Sequence, residues 1–214
     1  MRLGIFGGSF DPPHLGHLAV AQDAIEALAL EELLLVPARV SPFKVGEPVS
    51  AGALRAEMLE AAVAGHPRMR VWRGELERPA PSYTRDTLTQ IRDEHPGAEL
   101  LLLMGDDQWA SFPGWRSPRE ILGLVRVCVL TRSPEAAGRD APEWPHERVP
   151  TRRMEISSTE IRERVAAGLS VRFLVPEAVR SLIEVRGLYG TSDTTSDTAP
   201  DPAASATGLR TPGP

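Results

Sequence analysis

Several things are scarce in this sequence. It holds one cysteine, Cys128, in 214 residues. An internal disulfide is therefore excluded, and a reducing cytoplasm is the expected setting. No apolar run approaches the ~20 residues of a membrane-spanning helix, and the N-terminus shows no signal-peptide pattern, so no membrane association is expected. Positive charge is not in excess: the formal net charge is −5, which argues against a nucleic-acid partner. The common phosphate loops are missing too, since there is no Gly-x-Gly-x-x-Gly and no Gly-Lys-Ser/Thr ending. Aromatic residues make up only 5% of the chain, yet four are tryptophans, so their positions are informative.

What is present suffices for one domain with a sizeable core: 42% of the residues are apolar. The chain is organised around Gly7-Gly8-Ser9-Phe10-Asp11-Pro12-Pro13-His14-Leu15-Gly16-His17. A short apolar strand over residues 3–6 runs into it. A helix over about 15–28 leaves it, with Leu18, Ala21, Ile25 and Leu28 on one face. Strand, small-residue turn and helix place backbone N–H groups and a positive helix end beside a phosphate. Gly7 and Gly8 permit the sharp turn. Pro12 and Pro13 end the strand and fix the start of the helix. His14 and His17 fall on nearly the same helix face, and Gly16 between them is expected to leave open space for a phosphate. Two imidazoles can donate hydrogen bonds as charge builds on phosphate oxygens, which suits phosphoryl or nucleotidyl transfer. With no cysteine nearby, the pair lacks the four ligands of structural zinc. By spacing alone, an ordinary surface pair remains the competing reading.

The second strand, residues 33–36, completes a βαβ unit, hence a parallel sheet with a right-handed crossover. A ligand then belongs beyond the carboxyl ends of the strands. The loop over 38–48 carries Lys44, either a mobile charge for a phosphate or a solvated lysine. A helix over 54–64 and a short strand over 69–72 follow. The next helix, 85–94, has Ser82 or Thr84 as its N-cap. Residues 99–104 read as the strongest buried strand, ending in Gly105-Asp106-Asp107 at the ligand edge. Residues 126–132 read as another central strand. Cys128 lies in its middle without a local histidine, which argues against a nucleophile. Residues 133–145 read as loop. Ser157 or Ser158 caps a helix with Arg162 in its first turn, where open N–H groups and a guanidinium fork suit an anion. A last helix spans 175–185, and the fold ends by Tyr189. Residues 190–214, dominated by Ser, Thr, Asp, Ala, Pro and Gly, cannot bury enough surface to order themselves and read as a disordered tail.

The stretch Gly-Ser-Phe-Asp-Pro-Pro-His-Leu-Gly-His resembles the signature of the HxGH nucleotidyltransferases, and most closely the branch of bacterial nicotinate-nucleotide adenylyltransferases. Three later segments carry the same resemblance: Ser82-Tyr83-Thr84 with Asp86-Thr87-Leu88, Phe112-Pro113 with Trp115, and Ile156-Ser157-Ser158-Thr159 with Ile161-Arg162. It covers about residues 1–189. It implies a single Rossmann-like α/β domain, with a mainly parallel sheet of about five or six strands and helices on both faces. It also implies transfer of AMP from ATP to nicotinate mononucleotide. His14, His17 and Arg162 are then the catalytic residues. Gly8, Ser9, Phe10, Lys44, Gly105, Asp107, Ser158 and Thr159 bind ATP. Thr84 and Trp115 take the pyridine nucleotide, Thr84 at its carboxylate and Trp115 by stacking. Mg²⁺ is expected on the substrate phosphates rather than in a protein cage. Where the branch usually has Pro-Pro-His-Lys or Pro-Pro-His-Arg, this chain has Ser-Pro-Phe-Lys, with Phe43 in place of the histidine. A sister enzyme acting on nicotinamide mononucleotide or phosphopantetheine, and a non-catalytic ATP-binding module, remain alternatives. The sequence leaves open whether copies assemble as a homo-oligomer.

Overall fold

A computed structural model describes residues 1–39, 49–131 and 144–190. The expectations placed on Lys44 and Phe43, on most of the 133–145 loop and on the tail therefore lie outside the described residues.

Strands and helices alternate through most of the chain. They run β1 (Arg2–Gly8), α1 (Leu15–Ala27), β2 (Glu32–Pro37), α2 (Gly52–Val63), β3 (Met69–Val71), α3 (Thr84–Glu94), β4 (Glu99–Gly105), α4 (Asp106–Ser111), α5 (Pro118–Leu124), β5 (Arg126–Thr131), β6 (Glu147–Pro150), α6 (Ser158–Ala166) and α7 (Glu177–Arg186). The strands form one six-stranded sheet in the order β3-β2-β1-β4-β5-β6. Every ladder is parallel. The expected α/β architecture is therefore present.

The unbroken leucine run of β4 follows from having helices on both faces of the sheet. Leu101 and Leu103 face a cluster with Ala21, Ala24 and Ile25 of α1 and Leu59 of α2. Leu100, Leu102 and Met104 face Leu88 and Ile91 of α3 and Ile121 of α5. A third cluster packs Ile161 of α6 and Val179 and Ile183 of α7 onto Met58 of α2. The carboxyl-terminal helices are thus carried to the edge where β1 ends.

The strand order reverses between β1 and β4. Their pairing stops at Phe6–Leu103, whereas β1 stays paired to β2 as far as Gly8–Pro37 and β4 continues to Gly105. A crevice opens there, at the switch point where open α/β sheets hold ligands. β6 was not anticipated. It follows Pro145, ends in Pro150 and buries one apolar side chain, Val149, a pattern that fits only an edge strand.

Cys128 is fully buried in β5, and burial pushes its thiol up to about 11. At pH 8 about one thiol in a thousand is ionised at that value. Native protein should therefore fail to react with a disulfide reagent at pH 8 and react fully in denaturant. Leu101 is completely buried, so Leu101→Ala should cost about 2–5 kcal/mol of stability in urea titrations.

Candidate active site

The turn after β1 ends in a helix cap built from the two histidines. His14 is the N-cap of α1, and His17 is its third residue. The His17 N–H donates to His14 Nδ1 at 3.3 Å, and the His14 N–H donates to His17 Nδ1 at 3.2 Å. Imidazoles thus make the reciprocal bonds that Ser and Glu make in an ordinary capping box. With both Nδ1 atoms accepting, the network assigns the proton of each neutral ring to Nε2. The rings stack at 3.6 Å between centroids, so two Nε2–H donors sit side by side. Gly16 has another role than the one expected. The His14 ring fills its space, and a Cβ there would lie 3.0 Å from Nδ1 and 3.1 Å from Cε1.

Phe10 holds this arrangement from below. It adopts a left-handed backbone, φ 50°, and its buried ring packs edge-on to His17 at 5.0 Å. A Cβ on Gly8 would meet that ring at 3.0 Å. The Phe10 side chain is therefore taken up inside the protein, and only its backbone belongs to the turn's surface.

The same turn receives bonds from far along the chain. The Ser158 hydroxyl donates to the Pro12 carbonyl at 2.9 Å. Arg162 Nη1 donates to the Asp11 carbonyl at 2.8 Å, and its Nη2 reaches Thr159 Oγ1 at 3.3 Å. Ser157, not Ser158, caps α6, accepting from the Glu160 N–H at 3.1 Å. The Ser158–Arg162 turn and the histidine turn therefore lie against each other.

The Asp11 carboxylate, buried at 4% exposure, accepts from the Tyr189 hydroxyl at 2.7 Å and from the Ser50 N–H at 3.1 Å. Burial and the Asp11 charge hold the Tyr189 hydroxyl well above its ordinary pKa, so it stays a donor. Tyr189 and Arg55 are the residues that sequence reasoning missed. Arg55 of α2 is 1% exposed. It donates to Ser9 O at 2.6 Å, Ser50 O at 2.8 Å, Ala38 O at 2.7 Å and Arg39 O at 3.2 Å. Burial pulls its pKa down, and the charge on Asp11 opposes that pull.

Arg55 also leads to the second group of expected residues. The Arg39 N–H donates to Ser82 Oγ at 3.3 Å, next to the start of α3. Neither Ser82 nor Thr84 caps that helix. Tyr83 occupies the N-cap without a side-chain bond, and Thr84 is the first helical residue. The Ser82 and Thr87 hydroxyls bond the carboxyl of Glu75, whose burial raises its pKa. Trp115 is half-buried beside Phe112, 5.4 Å between centroids, while Trp109 is core. Gly105 precedes α4, and Asp107 stands exposed in its first turn. Asp106 pairs loosely with Arg148 at 3.8 Å.

Imidazole and guanidinium groups gathered at the switch point of a parallel sheet are an arrangement suited to nucleotide-handling α/β proteins. Relatives narrow the class. A model of the cytidylyltransferase-like family matches residues 5–164. A Geobacillus thermodenitrificans protein named "probable nicotinate-nucleotide adenylyltransferase" is 42% identical over 209 residues, spanning 98% of this chain and 94% of its own length. A Gemmatimonas aurantiaca protein of the same name is 43% identical over 208 residues, spanning 91% and 97%. The chain belongs to the cytidylyltransferase-like family, in its nicotinate-nucleotide adenylyltransferase branch. The solved Plasmodium falciparum nicotinic acid mononucleotide adenylyltransferase, complexed with APC and with NaAD, shares the fold at TM-score 0.69 in both cases. Its identities are 19% and 18%, and the match covers 88% of this chain and 96% and 97% of those chains.

The buried Tyr189–Asp11 bond yields a stability test. Tyr189→Phe should cost about 1–3 kcal/mol, and Asp11→Asn a similar amount. The double variant should cost clearly less than their sum in a urea-melt cycle.

Proposed function

We propose that the protein transfers AMP from ATP to nicotinate mononucleotide, giving nicotinate adenine dinucleotide and pyrophosphate in NAD biosynthesis. The observation that carries this reading is the reciprocal histidine cap, built on the same turn whose Asp11 carbonyl accepts from Arg162. The attacker is the 5′-phosphate oxygen of the mononucleotide, already an anion, so no protein nucleophile is required. It displaces pyrophosphate in line from the α-phosphorus of ATP. His14 and His17 donate to α-phosphate oxygens as their charge grows. Arg162, with the α6 start at Ser158 and Thr159, neutralises the leaving pyrophosphate. Gly8, Ser9 and the Phe10 backbone cradle the triphosphate, and Lys44 adds a phosphate contact. Gly105 and Asp107 line the nucleotide at the end of β4. Thr84 and Trp115 hold the pyridine ring. ATP enters as its Mg²⁺ complex, the ion carried on phosphate oxygens and water. The enzyme's main work is to hold two anions together in the reacting geometry. Residues 1–189 form the catalytic unit, and the cytoplasm is its setting. Among the described residues, no helix is long and apolar enough to cross a membrane.

Pyrophosphate release is measured with Mg²⁺-ATP and, separately, nicotinate mononucleotide, nicotinamide mononucleotide and phosphopantetheine. Rapid release with the first and little with the others is expected. Silence with all three, from folded protein, would overturn the proposal. His17→Ala should lower turnover by about 10²–10³-fold while ATP binding, followed by calorimetry, changes little. A non-catalytic binding module would have no turnover to lose.

A further inference from the structure

The ladder between β1 and β2 runs as far as Gly8 and Pro37, and the Ala38 N–H still reaches the Gly8 carbonyl at 3.0 Å. The next two carbonyls, of Ser9 and Ala38, both accept from one side chain. Arg55 Nη1 donates to Ser9 O at 2.6 Å, and Nη2 donates to Ala38 O at 2.7 Å. A planar guanidinium fork fits between two separating strands. Nη2 also reaches Arg39 O at 3.2 Å, and Nε reaches Ser50 O at 2.8 Å. Arg55 therefore holds the chain at Ala38 and Arg39, before the segment that carries Lys44, and at Ser50, after it.

A buried charge is costly, and neutral donors could bond these carbonyls without that cost. The charge gains a use through the Ser9–Phe10 peptide. That peptide is trans, so its C=O and N–H point opposite ways. With Ser9 O aimed at the buried guanidinium, the Phe10 N–H is aimed away from it, and no described backbone group accepts from that N–H. A cationic donor on the carbonyl polarises the peptide and strengthens the N–H at its other end. Two neighbouring carbonyls are bonded in the same way, Asp11 O by Arg162 and Pro12 O by Ser158. Each precedes a proline, which has no N–H. Of the three peptides, only Ser9–Phe10 turns an interior charge into a donor on the far side of the turn.

We propose that Arg55 is a positioning residue for ATP: its guanidinium sets the Ser9–Phe10 peptide so that the Phe10 N–H faces the triphosphate, and it fixes both ends of the segment bearing Lys44. This rests on the reading that places the triphosphate on the Gly8–Phe10 turn. Arg55 acts through Ser9 and touches no substrate itself.

Two measurements test this. The first uses wild type and follows exchange of the Phe10 amide by NMR, with and without Mg²⁺-ATP. Saturation should slow that exchange by about tenfold or more. Unchanged exchange would overturn the proposal. The second compares kcat and both KM values in wild type, Arg55→Lys and Arg55→Met by pyrophosphate release, with urea melts to show that each variant is folded. Lysine keeps the charge, but its donors spread from one point, so it cannot serve Ser9, Ala38 and Ser50 together. In both variants KM for ATP should rise about 10- to 100-fold, the range of one bond to a charged group. KM for nicotinate mononucleotide should stay within about threefold. A fall in kcat with both KM values unchanged, or equal rises in both, is what a merely structural residue produces and would overturn the proposal. Should neither variant fold, the exchange measurement decides. Wild type in which ATP protects the Phe10 amide but no turnover occurs refutes the adenylyltransferase reading and supports the role of Arg55.

Discussion

Burying the Asp11 carboxylate is the constraint on which the rest of the site depends. A buried carboxylate is costly unless its oxygens are bonded. Here the donors come from Ser50, before α2, and from Tyr189, beyond α7. The backbone on either side is treated likewise: Ser9 O receives Arg55, Asp11 O receives Arg162 and Pro12 O receives Ser158. Satisfying one short turn therefore draws three distant segments, 50–55, 158–162 and Tyr189, to the end of β1. The third apolar cluster, in which α6 and α7 pack on α2, delivers them there.

Within that frame each histidine ring accepts the other histidine's backbone N–H. Using Nδ1 as a helix cap fixes ring orientation and tautomer together, which a free-standing histidine on a helix face would not have. Gly16 and Phe10 finish the arrangement sterically, one by lacking a side chain under His14 and the other by wedging its ring against His17. This is pre-organisation in a literal sense: the donors take up their relative positions before any phosphate arrives.

Local patterns were legible in the sequence. The leucine run of β4, the glycine turn and the periodic faces of α1 and α3 depend on near neighbours, so they appear as spacing. The sheet order follows from βαβ handedness and from where those strands end. Arg55 and Tyr189 were invisible because nothing beside them marks them: a helical arginine looks like a solvated face, and a tyrosine near a domain's end looks like packing. Their partners lie 46 and 178 positions away respectively, at Ser9 and Asp11. Gly16 was singled out for the wrong reason, because a glycine between two histidines says that space is needed but not what fills it. Ser82 failed as a cap because its hydroxyl already serves Arg39 and Glu75. The short β6 was masked by its two flanking prolines.

The span between Asp11 and Tyr189 also has a consequence for order in time. On the ribosome, the histidine turn is made well before Ser158, Arg162 and Tyr189. Until those emerge, the turn lacks the donors that Ser158, Arg162 and Tyr189 bring to Pro12 O, Asp11 O and one Asp11 carboxylate oxygen. A nascent chain can therefore have most of its sheet in place and still lack the finished site, which closes only as synthesis of the domain is completed.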